Sequence, residues 1–126
     1  MEKEFIPYEL ALELKELGFD EPCFGFRKED GTFEFFATVD RDNTNSVFYY
    51  YPTAPLYQQA FRWFREKYGY DVSIKKCTPS EYKFEIEQLF VEDNNYYFID
   101  FAFSSYKETQ LECLKKLIEI VKRKKL

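Results

Sequence analysis

Histidine occurs nowhere in the 126 residues. Its absence excludes Ser-His-Asp and Cys-His catalysis, histidine-ligated zinc, and the usual general base at neutral pH. Glycine is scarce, with four in the chain, and none falls into a phosphate-cradling loop. The three cysteines, Cys23, Cys77 and Cys113, are widely spaced and odd in number. They form no CxxC motif and suggest no disulfide framework. No apolar run is long enough to span a bilayer and no signal-peptide pattern appears, so the chain is expected in the cytoplasm. Basic charge is also short: the net charge is −5, which argues against a protein whose main task is coating phosphate backbones.

Charge is unevenly spread. Residues 1–63 carry 12 acidic and 6 basic side chains, and residues 64–126 carry 11 and 12. Much of the later positive charge lies in the final "KKLIEIVKRKKL", which reads as a solvated helix end complementing the helix dipole. Aromatics, by contrast, are plentiful, with 15 Phe and 11 Tyr. They favour strands and bring large buried area, which points to a sheet with a thick core. The length fits one domain, 1–126, that buries roughly two-thirds of its unfolded surface without metal or disulfide.

The periodicity predicts the order α-β-β-β-α-β-β-β-α, an α+β fold with antiparallel sheet and helices packed over it. In "IPYELALELKELGFDEP", Leu10, Leu14 and Leu17 form a helical stripe with Ala11 beside it. Gly18 is a fitting left-handed stop, and Phe19 can fold back on the last turn. "CFGFR", a turn at "KEDG" and "TFEFFATV" read as a hairpin. After the polar loop "DRDNTNS", the run "VFYYYP" reads as a third strand.

"APLYQQAFRWFREKYG" is the central helix, with Thr53 as its cap and Gly69 as its stop. Leu56, Tyr57, Ala60, Phe61, Trp63, Phe64 and Tyr68 share an arc of about 160°, with Arg62 and Arg65 outside it. That partition places rings inward and guanidiniums outward. Lys67 intrudes on the arc, where its stem can snorkel. "YDVSIKKC" and "EYKFEIEQLF" read as strands, the second with Tyr82, Phe84 and Ile86 on one face and Lys83, Glu85 and Glu87 on a wet one. "YYFIDFAF" places Tyr97, Ile99, Phe101 and Phe103 on one face and Asp100 on the other. A capping box at Ser105 and Glu108 opens the last helix, whose buried side is Leu111, Leu114, Leu117, Ile118 and Val121 with Cys113 and Ile120 at the margin.

Few residues offer chemistry. Asp40, Asp42, Asn43 and Asn45 supply oxygen donors, but lack the further carboxylates and turn glycine of a calcium loop; turn formation explains them. Glu85 and Glu87 project from one strand face about 7 Å apart. Acid–base work requires one of them desolvated, and on a wet face both are expected to be ionised and exposed. Asp100 sits among aromatics, where Arg27, Lys83 or a tyrosine hydroxyl could satisfy it. Cys77 lies beside Lys75 and Lys76 without a base or partner. No cofactor or metal is implied, and the balance leans against an enzyme.

"FIPYELALELKELGFDEPCFGF", "APLYQQAFRWFREKYG" and "YKETQLECLKKLIEIVK" resemble a group of small proteins encoded by Bacteroidetes and by their phages and prophages, crAss-like phages included. The three stretches cover a little under half of the chain. No activity is established for that group, so the resemblance implies a phage-associated accessory protein of a bacterial cytoplasm and no mechanism.

The reading that follows is a non-catalytic interaction module that binds another protein or a second copy of itself. Tyr49, Tyr50 and Tyr51 are its candidate contact residues, because three successive rings on a strand cannot all point inward. The alternative is a nucleic-acid-binding module that uses sheet aromatics and the basic C-terminal tail. Net acidity makes nucleic acid the weaker expectation, and no membrane role is expected.

Overall fold

A stripe of Leu10, Ala11 and Leu14 buries one side of helix α1 (Tyr8–Glu16). The computed structural model describes residues 2–37, 43–45, 50–89 and 97–124. The helix stops as its sequence requires: Gly18 adopts φ 94°, its N–H donates to Lys15 O (3.1 Å), and the Phe19 N–H donates to Leu14 O (2.9 Å). This is a Schellman closure, and it folds the Phe19 ring fully out of water.

The described residues fall into two compact units, 1–59 and 60–126, joined within helix α2 (Tyr57–Tyr68). Two antiparallel sheets and three α-helices make the fold α+β.

In the first unit, β1 (Gly25–Arg27) and β2 (Phe33–Phe35) form a hairpin in the register Gly25↔Phe35, Phe26↔Glu34 and Arg27↔Phe33. Its turn is closed by Gly31 N–H to Lys28 O (2.9 Å) and Lys28 N–H to Thr32 O (2.9 Å). Gly31 takes φ 91°, a conformation that a Cβ disfavours. The Asp30 carboxylate accepts from the Thr32 N–H (3.0 Å) and hydroxyl (2.7 Å). These bonds hold its carboxyl below the ordinary carboxylate range.

The third strand expected over "VFYYYP" falls half outside the described residues. Residues 46–49 lie outside the described part, and pairing occurs at Thr53, which bridges Phe26. The flanking bonds are Arg27 N–H to Pro52 O (3.2 Å) and Ala54 N–H to Gly25 O (2.9 Å). Thr53 is therefore buried in an extended segment and does not cap α2, which begins four residues later. Leu56 likewise precedes the helix and bridges Phe5.

The second unit carries the antiparallel sheet β3 (Tyr70–Thr78), β4 (Glu81–Gln88) and β5 (Tyr97–Phe103), in that order. Helix α3 (Tyr106–Lys124) packs on all three strands. The Ser105 hydroxyl accepts from the Glu108 N–H (3.1 Å), as a cap should. The Glu108 carboxylate, however, accepts from the N–H and hydroxyl of Ser104 (3.2 and 2.7 Å), one residue earlier than a capping box predicts. The buried face of α3 is rotated from the expected stripe: Cys113 and Ile120 are inside, whereas Leu111 is half-buried.

On β4 the alternation holds, with Phe84 and Ile86 buried. On β5 it breaks. Ala102 takes φ 72°, and the pairing steps from Phe84↔Asp100 to Tyr82↔Phe103. This bulge turns Phe103 onto the side of Phe84, whose ring it stacks on (5.7 Å between centroids), as does Phe98 (5.8 Å). Phe101, expected to share a face with Phe103, is instead 52% exposed.

Along α2, Phe61, Trp63 and Phe64 are buried while Arg62 and Arg65 are exposed. The Trp63 ring packs edge-on against Phe64 (5.0 Å) and Tyr68 (5.5 Å). The exposed Lys67 lays its ammonium 5.0 Å from the Trp63 ring. Gly69 closes the helix with φ 77° and an N–H to Arg65 O (3.0 Å).

Candidate functional site: an aromatic hairpin face

The hairpin of the first unit carries more rings than its core can enclose. Phe5 and Phe33 stack at 4.1 Å and are both buried. Phe35 stands edge-on to both, 4.8 Å from Phe33 and 5.8 Å from Phe5, and is 54% exposed. Phe24 meets Phe5 edge-on at 6.5 Å and is also largely open. A second row, on the opposite side of the hairpin because Phe26 and Phe36 alternate with Phe33 and Phe35, runs through Phe36, Phe26, Tyr51 and Tyr50. Phe26 lies 5.4 Å from Phe36 and stacks on Tyr51 at 5.6 Å, and Tyr51 meets Tyr50 at 6.1 Å. Tyr50 ends that row 86% exposed.

Of the three tyrosines singled out by sequence, Tyr50 is a surface ring and Tyr51 is its half-buried support. Tyr49 lies outside the described residues. Sequence reasoning missed Phe24 and Phe35. The signal was available for Phe35, since Phe33, Phe35 and Phe36 crowd four positions of one strand and cannot all face inward.

Two buried polar side chains hold this face. Arg27 is only 8% exposed. Its Nε donates to Ile6 O (3.0 Å), its Nη1 to Gly31 O (2.9 Å), and its Nη2 to Glu2 O (2.8 Å) and Phe5 O (3.1 Å). The guanidinium also sits 5.4 Å over the Phe33 ring. Desolvation lowers its pKa, with Glu2 acting in the opposite direction. Arg27 thus ties the N-terminal segment, and Phe5 with it, beneath the exposed rings; it does not serve Asp100. Asn45 is the second clamp, with Nδ2 donating to Phe19 O (2.9 Å) and Oδ1 accepting from the Thr53 N–H (2.9 Å). Read from sequence as a turn former, it joins three segments of the first unit.

The residues considered for catalysis are dispersed. Asp100 is exposed, and its carboxylate accepts from the adjacent Phe101 N–H (2.9 Å). Glu85 is half-buried and paired with Lys83 at 3.2 Å, whereas Glu87 is exposed. Asp40 and Asp42 lie outside the described residues, and Asn43 contributes a backbone carbonyl to the Cys23 N–H (2.9 Å). Among the described residues no three Asp, Glu or Cys side chains converge as metal ligands.

Burial, above all, pushes the Cys23 thiol up to about 12 and raises Cys113 as well. Both are neutral core groups rather than nucleophiles. Cys77 is exposed, its Sγ 3.5 Å from Glu81 O. The second unit holds a pocket of about 240 Å³ lined by Tyr68, Tyr70, Gln88, Val121 and Lys124. No carboxylate lines it. Among the described residues no helix is long and apolar enough to cross a membrane.

No family model, curated protein or solved structure matches this chain.

Proposed function

We propose that the chain is a non-catalytic protein-interaction module, an accessory protein of phage or prophage origin that works in a bacterial cytoplasm. The exposed rings of Phe24, Phe35 and Tyr50 on one small hairpin unit carry this reading. Aromatics enrich the centres of protein interfaces, and here each exposed ring rests on an ordered ring beneath it. A rigid aromatic loses little conformational freedom on binding, so it contributes more to affinity than a flexible side chain of equal area. The phage origin rests on the resemblance of the three quoted stretches.

A photo-crosslinking phenylalanine analogue placed at position 35 or 50, in the native bacterial host, tests the reading. At least one of these positions should yield a specific adduct that the exposed control position Glu16 does not. Equal labelling at all three positions refutes it. Nucleic acid recovered from positions 35 and 50 would support the nucleic-acid alternative instead.

A further inference from the structure

We infer that the partner docks as an extended, cationic strand along the outer edge of β2; this rests on the reading of the hairpin as an interaction surface and names the partner's chemistry. The hydrogen-bond phase of the hairpin sets out the edge. Phe36 N–H bonds Phe24 O (2.8 Å) and Lys28 N–H bonds Thr32 O (2.9 Å). In an antiparallel ladder the intervening residues alternate between bonded and non-bonded pairs. Positions 33 and 35 therefore direct their N–H and C=O groups away from β1. The far side of β1 is already occupied by Pro52 and Ala54. Among the described residues, β2 pairs with β1 alone.

Edge strands are commonly blunted by proline, lysine or a bulge. The stretch Phe33-Glu34-Phe35 has no proline, lysine or bulge and a regular register, its guards being its three-residue length and the charge of Glu34. A strand added there would find outward backbone groups at Phe33 and Phe35, with the open Phe35 and Phe24 rings as a shelf for its side chains.

Charge selects the class of strand. Residues 1–59 carry 12 acidic against 5 basic side chains, a net −7, while residues 60–126 carry 11 against 13, a net +2. Glu2, just ahead of Phe5, is exposed, whereas Glu34 on β2 is already paired with Lys28 (2.8 Å). An arginine of the incoming strand can lay its guanidinium on the open Phe35 ring within this negative field. Polyanions are repelled by the same charge. A second copy of the chain meets it with like charge, and its own basic run 115–124 is helical.

The test uses the full-length protein and a capped Arg-Val-Arg-Val-Arg peptide, with its Glu-Val-Glu-Val-Glu counterpart as control. The arginine peptide should slow exchange of the Phe33 and Phe35 amides, bind more weakly at high salt, and outbind the glutamate peptide by at least about tenfold. Phe35→Pro removes an outward N–H that the ladder does not use and should weaken binding by about tenfold. The arginine peptide N-methylated on alternate residues leaves the protein untouched and should show the same loss, so the conclusion stands even if the proline variant unfolds.

Unchanged exchange at Phe33 and Phe35, no binding at about 1 mM peptide, or equal binding of the N-methylated peptide overturns the inference. So does a dimer in sedimentation that Phe35→Pro dissolves, which would make the occupant a second copy. A specific adduct from position 35 or 50 together with no effect of the peptide sinks the strand and leaves the interaction reading standing; equal adducts at the control position sink both.

Discussion

Replacing Arg27 with methionine keeps an unbranched apolar stem but removes five donors from the floor of the hairpin. Of the four carbonyls it serves, those of Glu2 and Gly31 belong to exposed residues and can turn to water. Those of Ile6 and Phe5 belong to residues 0% and 5% exposed and are left unsatisfied. An orphaned buried acceptor costs about 1–3 kcal/mol. Two of them, set against the hydrophobic gain of the methionine stem, give a loss of about 3–4 kcal/mol, a large share of the stability of a small domain. Arg27→Lys keeps the charge but not the planar fork, so it should recover about half of that loss. Urea unfolding followed by far-UV circular dichroism measures the total. Native-state exchange of the Ile6 amide, bonded to Pro55 O at 3.0 Å, and of the Ala54 amide locates it. A loss below about 1 kcal/mol in Arg27→Met, with both amides unchanged, would refute the view that this guanidinium holds the N-terminal segment under the aromatic face.

A Cβ at Gly25 would strike Glu34 O and come within 2.6 Å of the Phe33 ring; Gly25→Ala should cost about 1–3 kcal/mol in the same denaturation assay and expose Phe33. At the bulge, Ala102→Gly relieves a left-handed backbone and should raise the urea midpoint by the equivalent of about 0.5–1 kcal/mol. Alkaline pH should destabilise the chain. The folded pKa of Cys23 is raised from 9.0 to about 12, so its stabilising contribution is complete below pH 9 and is lost as pH rises from there toward 12. Between pH 8 and pH 10 that is about 1.4 kcal/mol, with further loss from Cys113, raised by the same cause, and a Cys23→Ala/Cys113→Ala variant should show a correspondingly flatter profile of urea midpoint against pH.

What could be read in the letters was what repeats locally. The Leu10–Leu14–Leu17 stripe with its Gly18 stop, the ring and guanidinium partition of α2, and the alternation of β4 each declare themselves within a few residues. What could not be read depends on partners distant in sequence. Arg27 reaches carbonyls 21 to 25 positions away, and Asn45 joins Phe19 to Thr53; no spacing rule announces either. Thr53 looked like a helix cap because it precedes Pro55, yet pairing with Phe26 decides its conformation. Crowding of Tyr49, Tyr50 and Tyr51 implied that at least one ring emerges, and Tyr50 is exposed; the same reasoning applied to the phenylalanines of 33–36 would have found Phe35. Which ring of a crowded run emerges is set by tertiary packing around Phe5 and Phe33, not by the run itself.

The extra residue in β5 also constrains how this chain can diverge. Strand parity is a counting frame, and Ala102 shifts that frame by one, so that Phe101 looks outward while Phe103, two places later, looks inward. Losing the bulge at unchanged length would restore plain alternation, carry the Phe103 ring to the outside and leave a ring-sized hole beside Phe84, whereas deleting Ala102 keeps Phe103 opposite Tyr82 and inward. Substitutions that abolish the left-handed turn at Ala102 without changing the length should therefore be purged more strongly than a one-residue deletion there, even though much of the stretch faces solvent.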